Sequence, residues 1–332
     1  MSNPQHDALK KYTWQINYAL EHYTSHGLLA NDFNHVLICG MGGSGIGGQL
    51  VRSIFTSTFP LPIATLASYD LPAYVNEKTL VIVGSYSGNT EETLAAFDKA
   101  KQKGCKMIAL SSGGKITSLA AENNIPCYKI AEGFQPRMAL GFSLTYLILI
   151  LSELVGKDSK PQLLEIIKDI DEDSENELYT YAEQIFNQVK TATKSKFIVI
   201  TDPDYEPLGI RFAQQIQENA KHECFVHVLP EMNHNVIESY YGRLDSVFFF
   251  IHSHQHERID ARFEFLTNLL EVENHKVVHF TTESFGIRQV FELNYTLDWL
   301  SLHIADQRRV DSLNVPNITS LKEFLDEVST EQ

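Results

Sequence analysis

Residues 35–50 read HVLICGMGGSGIGGQL. The apolar run HVLIC ends in six glycines between Gly40 and Gly48, and IGGQLVRSIF then continues in helix-like fashion. Strand, glycine loop and helix in that order predict an α/β unit. The loop suits a phosphate, because absent Cβ atoms let backbone N–H groups approach and a helix N-terminus adds a favourable dipole. Gly40, Gly42 and Gly45 also fit G-x-G-x-x-G, the dinucleotide fingerprint. That use requires an acidic residue about 20 positions on. Asp70, 25 residues after Gly45 and just before Leu71-Pro72, is a late match. The loop alone leaves both a dinucleotide and another phosphate open.

A second loop, IVGSYSGNTEET (82–93), again joins a strand to a helix. It places the hydroxyls of Ser85, Ser87 and Thr90 close together, with Gly84 and Gly88 between them. A helix N-cap would account for Thr90. It does not account for the cluster. Hydroxyls combined with backbone N–H groups suit a terminal phosphate monoester, which offers several acceptor oxygens. Two such loops in one half of the chain favour a small phosphorylated molecule over a dinucleotide.

Outward from these loops the pattern repeats. HVLIC, PIATLAS, TLVIVGS, KMIALSS and IPCYKIA read as strands, alternating with helical stretches. Their apolar runs are continuous, which predicts burial on both faces of a parallel sheet. After a polar, acidic stretch the same order restarts with KFIVITDP, CFVHVLP, SVFFFIHS and HKVVHF. The fold class expected is α/β, with two doubly wound parallel sheets. The expected divisions are an N-terminal helix over 1–28, a first domain over 29–155, a linker and helix over 156–195, and a second domain over 196–332. Within the first of these, Leu9, Tyr12, Ile16, Leu20 and Tyr23 predict one helix over residues 6–26. The acidic run Asp169–Glu177 reads as a solvated face or loop.

Composition narrows the partners. A formal net charge of −15 without a basic cluster argues against nucleic acid. The four cysteines are scattered and suit a reducing compartment. The first residues, MSNPQHDALKK, contain no apolar leader segment. The longest apolar stretch, Leu140–Val155, is shorter than the roughly 20 residues of a membrane span and reads as a core helix. The expectation is a cytoplasmic protein with no membrane partner.

GMGGSGIGG, SYSGNTEET, QPRMALGFSL, IQENAK and PEMNHNVIE, in that order, resemble the bifunctional phosphoglucose/phosphomannose isomerases. The resemblance implies two flavodoxin-like SIS (sugar isomerase) domains and interconversion of aldose and ketose 6-phosphates through a cis-enediol, without cofactor or metal. It implies Glu218 as the base, Arg137 as the cation beside the enediolate, and His234 and Lys322 as ring-opening groups. It also implies a homodimer in which His234 comes from the other subunit. Gly42, Gly43, Ser44, Ser85, Ser87 and Thr90 would hold the phosphate. Val315 stands where the family often has Thr before the Pro, which makes mannose 6-phosphate a less secure substrate than glucose 6-phosphate. Two rivals remain: a non-catalytic SIS sugar-phosphate sensor and a nicotinamide-dependent dehydrogenase. The stretch HSHQH (252–256) would put three histidines on one face if extended. No Asp, Glu or Cys at metal spacing accompanies it, so it is read as carrying no metal.

Overall fold

In the computed structural model, residues 3–173, 177–192, 194–242, 244–282 and 284–330 are described. Strands β1 (His35–Gly40), β2 (Ile63–Leu66), β3 (Thr79–Ser85), β4 (Lys106–Ser111) and β5 (Cys127–Lys129) form a parallel sheet in the order β2-β1-β3-β4-β5. Strands β6 (Lys196–Thr201), β7 (Cys224–Val228), β8 (Ser246–His252) and β9 (Lys276–Thr281) form a second, in the order β7-β6-β8-β9. Every strand pair is parallel, and in the first sheet Gly40 lies opposite Gly84. The register therefore sets the glycine loop and the serine loop side by side.

The helices are α1 (Pro4–Leu9), α2 (Tyr12–His22), α3 (Gly42–Phe55), α4 (Glu91–Gln102), α5 (Gly114–Glu122), α6 (Leu140–Leu154), α7 (Lys160–Asp173), α8 (Glu177–Val189), α9 (Glu206–Ala220), α10 (Glu257–Val272), α11 (Ile287–Arg308) and α12 (Pro316–Thr330). The single helix expected over 6–26 is instead two, broken at Lys10–Lys11. α1 packs on α11, whereas α2 packs on α6 and α7, and one straight helix could not follow both. The segment over 156–195 likewise holds two helices, α7 and α8, where one was expected. Residues 174–176 of the acidic run lie outside the described residues, as do the terminal residues 1, 2, 331 and 332 of the expected divisions.

Alternate residues of each strand serve different cores. Val36, Ile38, Leu80 and Ile82 face the same cluster as Phe197, Val199, Val247 and Phe249 of the second sheet. Leu37, Cys39, Val81 and Val83 face a separate cluster under α4 and α5, and Ile198, Ile200, Phe248 and Phe250 face another under α10. The inner faces of both sheets thus share one core, filled by α6 and α11. The 14 buried residues of α6 lie all round the helix, as its unbroken apolar sequence predicts. α11 is also buried on most sides, but it carries Asn294, Asp298 and Ser301 inside. Among the described residues no helix is long and apolar enough to cross a membrane.

Phe249 is fully buried in the shared core, edge-to-face with Phe197 and Phe212. Phe249→Ala is expected to cost about 3–5 kcal/mol. Because the core is common, both halves should unfold together at the lower midpoint. Separate transitions followed by far-UV circular dichroism and by near-UV aromatic signals would contradict a shared core.

Candidate active site

The strand order reverses between β1 and β3, since the chain leaves β1 toward β2 on one side and continues from β3 toward β4 on the other. Ligands of doubly wound sheets bind in that crevice, beyond the strands' C-terminal ends. Here β1 delivers Gly42, Gly43 and Ser44 into the first turn of α3, with Gly42 at φ +51°. The Tyr86 N–H donates to Ser44 Oγ at 3.2 Å, which fastens the glycine loop to the serine loop.

In the serine loop, Ser85 is buried and its Oγ lies 2.9 Å from Thr90 Oγ1. Ser85 Oγ also accepts from the Gly88 N–H at 3.0 Å. Thr90 occupies the N-cap position of α4, yet its side chain makes no capping hydrogen bond. The hydroxyl is held by Ser85 instead, at the loop's mouth. Ser87 is exposed, and its Oγ accepts from the Asn89 N–H at 3.3 Å. Gly88, at φ +68°, lies so close to Gly113 that a Cβ would sit 1.8 Å from the Gly113 carbonyl oxygen. This third loop, Ser111–Gly114, belongs to the same crevice wall. Ser112 Oγ donates to the Tyr86 carbonyl at 2.6 Å and braces the serine loop from behind. The adjacent Gly-Gly at 113–114 is its signal in the sequence.

The dinucleotide reading loses its acidic residue. Asp70 lies beyond the end of β2, exposed, and pairs with Lys99 of α4.

A Cβ on Gly43 would lie 2.6 Å from the carbonyl oxygen of Pro136, so the glycine loop rests directly on the Pro136–Arg137 backbone. Arg137 is only 5% exposed. Its Nε donates to Asn219 Oδ1 at 2.9 Å, and its Nη2 donates to the carbonyls of Ser312 (2.6 Å) and Leu313 (2.9 Å). Its Nη1 stands 3.5 Å from Glu218 Oε2. Burial pulls the guanidinium pKa down, and the carboxylates of Glu218 and Asp311 oppose that pull. Glu218 remains about one-third exposed, on the last turn of α9. Lys221 closes that helix in the left-handed conformation, and its Nζ donates to the Glu218 and Asn314 carbonyls, the latter at 2.7 Å. Burial and then Arg137 lower the Lys221 pKa.

Behind Arg137 lies a buried polar network. Arg211 of α9 donates to the Arg137 carbonyl at 2.9 Å and to Asp298 Oδ2 at 2.6 Å. Gln215 donates to Asp298 Oδ1 at 2.8 Å, and Asn219 Nδ2 donates to Ser301 Oγ at 3.0 Å. One face of α9 thus presents Arg211, Gln215, Glu218 and Asn219, at helical spacing, to α11 and to Arg137. The spacing of R-F-A-Q-Q-I-Q-E-N shows this face in the sequence, whereas its polar partners on α11 lie about 80 residues further along the chain.

His234 and Lys322 lie on other elements, a 3-10 turn and α12. His234 ends the short 3-10 turn Glu231–His234 after β7 and is exposed. Lys322 lies on α12, where Ile318, Leu321, Phe324, Leu325 and Val328 are all at least 40% exposed. Among the described residues, no hydrogen bond or ion pair joins either side chain to Arg137 or Glu218. The single chain brings together Gly42, Gly43, Ser44, Ser85, Ser87, Thr90, Arg137 and Glu218 through the contacts described above.

Residues 30–134 match the family model of the SIS domain, so the class defined by this crevice is that of SIS-domain proteins. Residues 178–325 match the bacterial phospho-glucose isomerase C-terminal SIS domain. The chain is 32% identical over 316 residues to the bifunctional phosphoglucose/phosphomannose isomerase of Caldicellulosiruptor bescii, covering 90% of this chain and 91% of that one. It is also 34% identical over 202 residues to the D-glucosamine-6-phosphate 4-epimerase of Sulfolobus acidocaldarius, covering 60% of this chain and 62% of that one. Among solved structures, the glucosamine-6-phosphate deaminase of Thermotoga maritima superposes with a TM-score of 0.70 at 16% identity, covering 92% of this chain and 96% of that one. The chain belongs to the bifunctional phosphoglucose/phosphomannose isomerase family. It is an enzyme, built as the two SIS domains that the sequence motifs predict.

Gly88→Ala should displace the serine loop, because the clash is with backbone and the φ is positive. The expected result is at least a tenfold weaker affinity for inorganic phosphate, about 1.4 kcal/mol or more, measured by competition against a sugar phosphate. Unchanged affinity would show that the loop does not bind phosphate.

Proposed function

We propose that this enzyme interconverts fructose 6-phosphate with glucose 6-phosphate and with mannose 6-phosphate. The observation that carries the proposal is the Arg137–Glu218 pair, set against the same glycine loop that meets the serine loop. The phosphate lies among Ser44, Ser85, Ser87 and Thr90 and the N–H groups at the start of α3, with Gly42 and Gly43 allowing its close approach. The C1–C2 end of the opened sugar then reaches Glu218. Glu218 removes the C2 proton of the aldose, and electron density moves onto the carbonyl oxygen. Arg137 Nη1 faces this developing enediolate charge, and its guanidinium is already fixed through Nε and Nη2. Such preorganised charge needs no rearrangement as the reaction proceeds. In the enediolate O2 gives up its hydroxyl proton and O1 gains one, and return of the carbon-bound proton to C1 then gives the ketose. No net oxidation occurs, so the step calls for no hydride acceptor.

His234 and Lys322 open the sugar ring in this scheme, and His234 reaches the site from a second subunit. What supports a homodimer is the exposed apolar face of α12, together with the exposed position of His234. Contiguous exposed apolar surface marks an interaction face. A cytoplasmic location agrees with free, scattered cysteines. Val315, half-buried immediately before Pro316, fills nearly the volume of a threonine but lacks its hydroxyl. Mannose 6-phosphate should consequently turn over more slowly than glucose 6-phosphate.

Proton NMR of the purified protein with fructose 6-phosphate in deuterium oxide tests this reading. Glucose 6-phosphate and mannose 6-phosphate should appear, with deuterium entering at C2. Glu218→Gln should lower the rate by about 10²-fold or more and still bind the sugar phosphate. Near-normal turnover in that variant, or change only at C4, would contradict the assignment.

A further inference from the structure

The second sheet has a reversal point of its own. The chain leaves β6 toward β7 on one side and continues from β8 toward β9 on the other. The C-terminal ends of β6 and β8 thus occupy the place that β1 and β3 occupy in the first sheet. No glycine loop follows either strand. β6 leads into Asp202-Pro203-Asp204, and β8 leads into His252-Ser253-His254.

The HSHQH stretch does not continue as a strand. β8 ends at His252, which is 5% exposed, and His254 has φ +54°. The turn folds His254 back beside His252, with ring centroids 3.8 Å apart. Asp202 fixes the turn by accepting from the Ser253 N–H at 2.5 Å, and Asp204 accepts from Ser253 Oγ at 3.1 Å. Asp260, in the first turn of α10, reaches both imidazoles. Its Oδ1 stands 3.5 Å from His252 Nδ1 and 3.1 Å from His254 Nδ1. Despite that proximity, His252 Nδ1 and Asp260 Oδ1 are buried atoms without a hydrogen-bond partner. Ligand atoms of all three residues lie within 4.8 Å of one another.

With Nδ1 of His252 unprotonated, a cation shared with Asp260 Oδ1 would satisfy both buried atoms. Four ligands at about 2.0–2.1 Å around a tetrahedral cation stand about 3.3 Å apart. The observed 3.1 Å and 3.5 Å bracket that spacing. Two imidazoles and one carboxylate suit Zn2+ and related borderline dications, whereas Mg2+ and Ca2+ prefer all-oxygen sites. His254 and Asp260 are 39% and 35% exposed, which leaves one side open to water. We propose that His252, His254 and Asp260 bind a divalent transition cation, Zn2+ foremost, with the fourth position open to solvent. The site pins the end of β8 to α10 and shares no residue with the Arg137–Glu218 cluster. The sequence hid it because the third ligand comes from the following helix, outside the histidine run.

Isothermal titration of chelator-treated, full-length protein with Zn2+ tests this, with Co2+ absorption as a second readout. We expect one Zn2+ per chain with a dissociation constant on the order of micromolar or tighter. His254→Asn keeps a residue that tolerates positive φ, and Asp260→Asn keeps the side-chain size. Each should weaken binding at least tenfold (even outer-sphere changes cost about 10–100-fold) and remove the intense visible bands of the Co2+-loaded protein. Failure to bind Zn2+ saturably, or uptake that neither variant alters, would overturn the proposal.

Discussion

A buried guanidinium holds this protein's site in place. Arg137 enters the interior from the turn ahead of α6, where a positive charge has almost no access to water. Isolated burial of such a charge is strongly unfavourable. It is tolerated because Asn219 comes from α9, two carbonyls come from the Ser312–Leu313 segment, and Glu218 supplies the opposing charge. Those partners lie in the second half of the chain, while Gly43 packs on the Arg137 backbone from the first. The requirement to satisfy one cation therefore draws both halves to one point, beside the crevice at the ends of β1 and β3.

The surroundings extend the same constraint. Arg211 fixes the Arg137 carbonyl, and Asp298 neutralises Arg211. Burial pushes the Asp298 carboxyl up, while Arg211 and the hydrogen bonds from Gln215 and Asn294 pull it back. A buried pair of this kind is weak evidence of stabilisation, since desolvation offsets the attraction. Its value here is positional, because it fixes α9 relative to α11 and so fixes where Glu218 points. Asn3 and Gln5 at the N-terminus bind Ser312 by side-chain hydrogen bonds, so the chain's beginning also supports the segment that holds Arg137.

Much of this was legible in the sequence. Continuous apolar runs such as TLVIVGS foretold parallel strands buried on both faces, and glycine loops foretold where the first crevice would be. The break at Lys10–Lys11 was not legible, because it follows from two separate packing surfaces. Nor was α11, whose burial on most sides and internal Asn294 and Asp298 blur the usual apolar stripe. The site divides the same way. The serine cluster was visible as local chemistry, and Arg137 and Glu218 were visible only through motif resemblance. Their approach to 3.5 Å depends on residues 81 positions apart, which no local spacing can report. Asp260 illustrates the point again, since its relation to His252 and His254 exists only once α10 has turned back over β8.

The central claim is that Arg137 acts as a fixed, forked cation facing Glu218. Arg137→Lys keeps the charge but cannot donate through Nε and Nη2 while also facing the carboxylate. The decisive measurement is the rate of fructose 6-phosphate isomerisation by this variant, taken with its circular dichroism spectrum. The account predicts a native-like spectrum and a rate lower by about 10²–10³-fold, the usual effect of removing a preorganised donor. Turnover within a few-fold of the unmodified protein would contradict it.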